Sequence, residues 1–453
     1  METGNSTDDL APATSTRRLL LGRHKASGFG GSRLKGVGVL DRAHLFGAEL
    51  RRLRLAAGLT IERLATTIHY SKAQISKIET GRKQPTVEFA RLCDTALAAE
   101  GALHELVAAP TADSSGDSER GPSRRQVMVV GAVSALGVQN LPVASPQPLS
   151  AAPSTQEVGV LEAARVMFDQ FRLLGQVTPA RYVLPGLDQQ TQALTGLART
   201  SSPRTARKLL ELAARYAEFA GWMAQEAGDV AQAAQWTQTA VDFAEFTGDS
   251  PLPHYAQVRR GLLAYYSGDA ARTVELAGSA QSDRLPPRIR GLAAQRQAQG
   301  HALAGEHAAC MKSLDRARHH FASDALIERD PALGPTNLHD PAAMVAAWCL
   351  LDLGRPRQAA LALDTECARI PEGAIRTQAR YGARRALAHA MAGDIDQACA
   401  LTHALLGPLS CVSSATIQLD VRRLNRTLMR YRSKESVRQL LPGLAAAMHS
   451  NTV

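Results

Sequence analysis

The chain has 453 residues, of which 45% are hydrophobic and 21% charged, with a formal net charge of +10. Two or three domains are expected at roughly 100–200 residues each, which leaves ample material for more than one core. The positive excess is spread, six Lys and Arg against three acids in residues 1–40 and ten against eight in 41–109, so the balance does not argue for a nucleic-acid-binding surface along the whole chain, and most of the affinity for phosphate is expected from the N-terminal third.

Residues 1–40 are rich in Ser, Thr, Gly and Arg and contain GFGGSR at 28–33. A Gly-rich run cradles phosphate only between a strand and a helix, and neither flanks this one. The segment reads as a disordered basic tail, the alternative being a minor-groove arm built from Arg17, Arg18, Arg23 and Lys25. From 41 to 109 the pattern predicts five helices. In the first, Leu45, Phe46, Leu50, Leu53 and Arg54 recur at three- and four-residue steps, and Gly58 supplies a stop. Thr60 caps a second helix with Ile61, Leu64, Ala65 and Ile68 inward, Ala65 being small enough to let a crossing helix approach. Ser71 caps a third, which buries Ile75 and Ile78 and leaves Lys72, Ala73, Gln74, Ser76 and Lys77 outward. Lys72, Lys77, Arg82 and Lys83 face one acid, Glu79. Helices over 87–97 and 102–109 complete the unit.

Two short amphipathic helices joined by a tight turn hold the second out as a rod that fits the major groove of B-DNA. The segment LRxxRxxxGLTxxxLAxxxxxSxxxISxIExGxxxP resembles the Cro/repressor-type helix-turn-helix family, often labelled XRE, over residues 42–108. That resemblance implies a structural pair between Arg54 and Glu79. It assigns Ser71, Lys72, Ala73, Gln74, Lys77, Arg82 and Lys83 to double-stranded DNA, with Lys72, Ala73 and Lys77 at base edges and Gln74, Arg82 and Lys83 nearer phosphates. Two positions depart from the pattern. Ile61 replaces the Gln that usually opens the second helix, removing a phosphate contact, and His69 stands where a turn Gly is common. A left-handed His costs about 1 kcal/mol or somewhat more.

Pro110 opens a linker, 110–156, with TADSSGDSERGPSRR and ASPQPLSAAPST around the apolar run VMVVGAVSALGV at 127–138. Ser123-Arg124-Arg125 before that run resembles a twin-arginine export signal, but the run is internal and shorter than the roughly 20 residues a bilayer needs. It reads as a linker helix docking on a protein surface, so no membrane partner is expected.

From 157 to 450 the composition turns to Ala, Leu, Gln and Arg, and the expectation is helix throughout. Five related segments share a turn glycine, Gly228, Gly268, Gly305, Gly354 and Gly393, each between two amphipathic helices. Small residues fall where the paired helices cross: Ala233, Ala240, Thr273, Ala280, Cys310, Ala317, Ala359 and Ala398. This resembles tetratricopeptide repeats, with Gly221 and Gly261 matching the motif's small residue, although the spacing is irregular and a generic array of helical hairpins is the alternative. The fold class expected is therefore all-α: a five-helix helix-turn-helix domain, a flexible linker and an α-solenoid. A solenoid's concave face binds peptides, proteins or small molecules. The repeat pattern offers Glu218, Trp222, Gln225, Tyr265, Gln295 and Gln299 to such an effector, each aromatic having core packing as its alternative.

Six cysteines without a CxxC read as small buried hydrophobes of a reducing cytoplasm. The adjacent His319 and His320 point roughly 100° apart on a helix, so no metal is expected. No catalytic motif and no cofactor-binding motif occurs. The two-part order resembles cytoplasmic regulators of sporulation and antibiotic production and peptide-sensing regulators, which implies a transcription regulator with repression as the expected sign; because one helix-turn-helix reads only a few base pairs, a homodimer is expected. The alternative is a helical-repeat interaction scaffold whose helix-turn-helix does not bind specific DNA.

Overall fold

The computed structural model describes residues 39–108, 155–248, 251–324 and 333–449, and every regular element among them is a helix. The tail, the twin-arginine-like segment and most of the linker lie outside the described residues. The N-terminal unit, or head, has five helices: α1 (Val39–Ala56), α2 (Ile61–Ile68), α3 (Lys72–Glu79), α4 (Val87–Leu97) and α5 (Ala102–Ala108). Ala43, Phe46, Leu50 and Arg54 make the buried face of α1, with Leu53 half-buried. Leu45 departs from the expected pattern at 47% exposed, since it lies one helical step off the line through residues 43, 46, 50 and 54. The closest crossing is made by Gly47, where a Cβ would come within 2.5 Å of the Ile78 carbonyl oxygen. Thus α1 meets the end of α3 backbone to side-chain-free backbone.

The C-terminal unit holds α6 (Thr155–Val177), α7 (Ala180–Ala198), α8 (Pro203–Ala227), α9 (Val230–Thr247), α10 (Pro251–Tyr266), α11 (Ala270–Gly278) and α12 (Pro287–Ala304). It continues with α13 (His307–Asp324), α14 (Pro341–Asp352), α15 (Pro356–Cys367), α16 (Ile375–Ala392), α17 (Ile395–Val412), α18 (Ala415–Leu428), a 3-10 turn (Met429–Tyr431) and α19 (Glu435–His449). The five turn glycines join α8 to α9, α10 to α11, α12 to α13, α14 to α15 and α16 to α17, all with φ between 75 and 92°. Glycine takes this left-handed conformation without a Cβ penalty. After two of them an Asp caps the next helix: Asp229 accepts from the Gln232 N–H at 2.8 Å and Asp269 from the Arg272 N–H at 2.9 Å. All eight small crossing residues named above are buried.

The hairpin array closes on itself. Besides its neighbours, α6 packs against α16 and α17, and α8 packs against α18. The clasp is Glu226 at the end of α8, with no exposed side-chain surface. It pairs with Arg376 at 3.2 Å and with Arg380, and accepts hydrogen bonds from Ser414 at 2.6 Å and Thr416 at 2.9 Å. Arg376 also donates to the Gly175 carbonyl oxygen of α6 at 2.6 Å, tying the first helix of the array to one of its last.

The head rests on this closed array, and one buried apolar cluster contains both Phe89 and Leu103 of the head and Leu351 and Met391 of the array. Polar contacts reinforce it. Thr95 Oγ1 donates to the Leu353 carbonyl oxygen at 3.1 Å, Tyr431 donates to the His69 carbonyl oxygen at 3.2 Å, and Arg430 lies 4.4 Å over the Tyr70 ring. At Gly393 a Cβ would come within 2.5 Å of the His69 ring, so only glycine admits the head there.

Candidate nucleic-acid interface and effector cavity

Three devices of the local sequence position α3. Thr60 Oγ1 accepts from the Arg63 N–H at 3.1 Å and starts α2; His69, at φ 53° and ψ 45°, turns the chain; Ser71 Oγ accepts from the Gln74 N–H at 3.2 Å and starts α3. Arg54 then fixes the far end of the helix. Its guanidinium donates to both Glu79 carboxylate oxygens at 2.6 and 2.9 Å and to the Leu59 carbonyl oxygen at 2.8 Å. The bidentate pair is nearly buried, with side chains 7% and 5% exposed. With Ile75 and Ile78 in the core, the opposite face of α3 has a defined orientation.

That face carries Lys72, Ala73 and Lys77, all exposed, with Ser71 exposed at its start. Arg82 and Lys83 follow on an exposed turn, where Gly81 at φ 69° lets both backbone N–H groups reach the Lys77 carbonyl oxygen. Lys72 pairs with Glu62 of α2, a solvent-screened surface contact that a phosphate can displace. Gln74 is only half exposed. Together with Lys83 it lines a groove of about 690 Å³ between head and array, shared with Arg423, Arg426 and Arg430. These arginines escape sequence reasoning because only tertiary docking brings them beside α3.

A second cavity, of about 450 Å³, lies within the closed array. Of the six residues expected to face an effector, Glu218, Trp222, Gln295 and Gln299 line it. Gln225 lies behind the wall, buried, with its Oε1 accepting from Arg259 at 3.0 Å. Tyr265 belongs to the core, where its hydroxyl donates to Asp352 Oδ2 at 2.5 Å and accepts from the Trp348 indole N–H at 2.6 Å. The expectation missed Phe219, Arg259, Arg296, Trp348, Arg380 and Tyr381, which share the lining. The signal for Arg296 was its place between Gln295 and Gln299, although Arg288 and Arg290 of the same Ala- and Gln-rich helix make a charge there ambiguous.

Burial pushes the Glu218 carboxyl above its ordinary range, opposed by Arg259, Arg215 and Arg172. Burial likewise lowers the Arg296 guanidinium to about 10, with Arg259 acting in the same direction. From the cavity wall, Trp348 reaches Asp352 at 3.1 Å, and Asp352 and Arg423, 3.4 Å apart, both line the groove beneath the head. Burial would raise the Asp352 carboxyl, but Arg423, Arg384 and Arg91 outweigh it and hold it low. A buried polar network thus joins the cavity to the surface that carries the head.

Among the described residues no group of three or more His, Cys, Asp or Glu side chains is arranged to hold a metal ion, and no helix is long and apolar enough to cross a membrane. A family model described as a helix-turn-helix domain matches residues 45–107, which span the head from α1 into α5. No curated protein and no solved structure matches the chain.

Proposed function

We propose that this chain is a cytoplasmic, sequence-specific DNA-binding transcription regulator of the XRE type, acting as a homodimeric repressor, with a tetratricopeptide-like solenoid that senses an effector. The carrying observation is the exposed face of α3, which presents Lys72, Ala73 and Lys77 to solvent while Arg54 and Glu79 anchor the opposite side. Lys77 reads a base edge, and Arg82 and Lys83 hold phosphates. The effector occupies the 450 Å³ cavity, and the Trp348–Asp352–Arg423 network couples its occupancy to the seat of the head. Such coupling requires that the effector favour one head position over another. A role without catalysis or cofactor fits this division of labour.

The test is fluorescence anisotropy on DNA selected from random sequence by the full-length protein. Lys77→Ala should lower affinity for the selected site by about 1 to 3 kcal/mol and relax preference at one position, whereas Arg82→Ala should weaken all sequences alike and flatten the salt dependence. Equal losses on selected and random DNA from both changes refute the base-reading assignment. Absence of any steep salt dependence favours the interaction-scaffold reading.

A further inference from the structure

The effector cavity holds a charge that the protein does not answer. Its lining includes five arginines, Arg172, Arg215, Arg259, Arg296 and Arg380, against two acids, Asp169 and Glu218. Several of these cations have their work elsewhere. Arg380 pairs with Glu226, Arg259 lies 3.8 Å from Glu218, and Arg172 donates to Thr336 at 2.9 Å. Arg296 differs in having no carboxylate partner: its Nη1 donates only to the Gln299 amide oxygen, its Nε, like that of Arg259, is buried without a hydrogen bond, and the side chain as a whole is half-buried on the cavity wall. The amide nitrogen of Gln295, a residue only 5% exposed, is likewise unpartnered. Gln295 and Gln299 lie one turn apart on the same face of α12, and Arg296 lines the cavity with them. A sheltered cation beside an unanswered donor is costly unless an acceptor arrives to pair with both.

The apolar part of the wall mixes aliphatic residues such as Leu173, Leu262 and Leu338 with aromatic ones. Trp222 and Phe219 stand with ring centroids 5.3 Å apart, and Phe168, Tyr255, Trp348 and Tyr381 also line the cavity. A volume of about 450 Å³ suits a small molecule, not an extended peptide. A cationic ligand would be repelled by Arg296, and a neutral apolar one would leave both donors unanswered.

Building on the reading of this cavity as an effector site, we propose that its ligand is a small organic oxyanion with a flat apolar body. The anionic group sits on Arg296 and Gln295, and the body lies against Trp222 and Phe219. The oxyanion is a carboxylate or a phosphate, two groups that a guanidinium fork recognises in the same way.

Calorimetry and tryptophan fluorescence on the full-length protein test this with matched probes: 1-naphthoate against 1-naphthamide, indole-3-propionate against its amide, and 1-naphthyl phosphate against 1-naphthol. At least one anion should bind about 10-fold or more tightly than its neutral partner, because a site built around a hydrogen-bonded group rejects the analogue lacking it. Whether the carboxylates or the phosphate bind best identifies the oxyanion. Arg296→Gln should abolish the preference and Arg296→Lys should keep part of it. Should the Gln variant fail to fold, Gln295→Leu takes its place, weakening the anions and leaving the neutral partners unchanged. Equal affinity within every pair, preference for the neutral partner, or no binding of any anion overturns the proposal. DNA anisotropy with and without probe separates the two readings. An anion that binds without altering DNA affinity preserves the ligand class and refutes the sensor, while a neutral compound that alters DNA affinity and shares the cavity does the reverse.

Discussion

Glu226 offers the most direct probe of array closure. Its carboxylate lies between two cations of α16 and two hydroxyls at the start of α18, so one substitution removes the contact among three helices distant in sequence. Burial alone would raise its pKa, yet Arg380, Arg376 and Ser414 bring it down from 4.5 to about 2. Across that interval the fold favours the charged form by about 3 kcal/mol. Removing one member of a buried ion pair gives a similar figure, about 3 to 5 kcal/mol, since the partner stays buried without its counter-charge. Arg376, at 1% exposed, has no route to water. Glu226→Gln keeps the shape and one acceptor, so about 2 to 3 kcal/mol is expected; Glu226→Ala should approach 4 to 5 kcal/mol. Urea denaturation of the full chain measures the loss, and hydrogen exchange should rise in α6 and α18, the helices that closure alone brings to α16 and α8. In the parent this contribution is complete above about pH 4.5 and is lost as the pH falls towards about 2, because the folded state binds its proton later than the unfolded one. Unfolding free energies within about 0.5 kcal/mol of the parent for both variants, a surface-like value, would refute the clasp.

Three further outcomes follow from the head and the array's outer surface. Glu79→Ala leaves Arg54 buried without its partner, and the head should lose about 3 to 5 kcal/mol; an unchanged melting temperature would show the pair to be dispensable. His104, at the contact with Gly305 and beside Arg91, has its pKa lowered by burial and by Arg91 from 6.5 to about 4. Stability is therefore full above about pH 6.5 and declines as the pH falls towards 4, by about 1 to 1.5 kcal/mol at pH 5.5; the slope should flatten in His104→Gln, and a parent equally stable at pH 7 and 5.5 contradicts this. Reading only a few base pairs per head, the protein should pair through residues beyond about 120, with inverted half-sites one helical turn apart or a multiple of that. Val166 and Val177 on α6 are 54% and 42% exposed, so Val166→Glu with Val177→Glu should yield a monomer by light scattering, and an unaltered dimer moves the contact elsewhere.

What could be read in advance was what local chemistry decides. Thr60 and Ser71 cap helices because a side-chain oxygen reaches the N–H groups of the next turn, and both bonds form. Gly228 followed by Asp229 marks a helix end and the next start for reasons contained in a few residues, and the same logic recovers Gly268 with Asp269. Leu45 shows the limit of periodicity: Leu45 and Phe46 are both apolar, and only the direction of packing, with Gly47 against Ile78, decides which faces inward. Tyr265 and Trp222 present the same ambiguity with opposite outcomes, one in a buried hydrogen-bond network and the other half-buried on the cavity wall.

Closure and docking were illegible for a different reason. Glu226 and Arg376 are separated by 150 positions, and nothing near either residue distinguishes a clasp from an ordinary charge on a helix. Their meeting depends on how small rotations accumulate over successive hairpins, which the crossing residues tune by fractions of an ångström. The head illustrates the same point. Gly393 is recognisable as a turn glycine, and its φ of 92° fulfils that role, but the absent Cβ also admits the His69 ring. One glycine therefore satisfies a local and a distant demand at once. His69 does the same from the other side, ending α2 in a left-handed turn while its carbonyl oxygen accepts the Tyr431 hydroxyl. A residue that departs from the usual turn glycine thus lies at the contact between the helix-turn-helix and the array, against Gly393 and Tyr431.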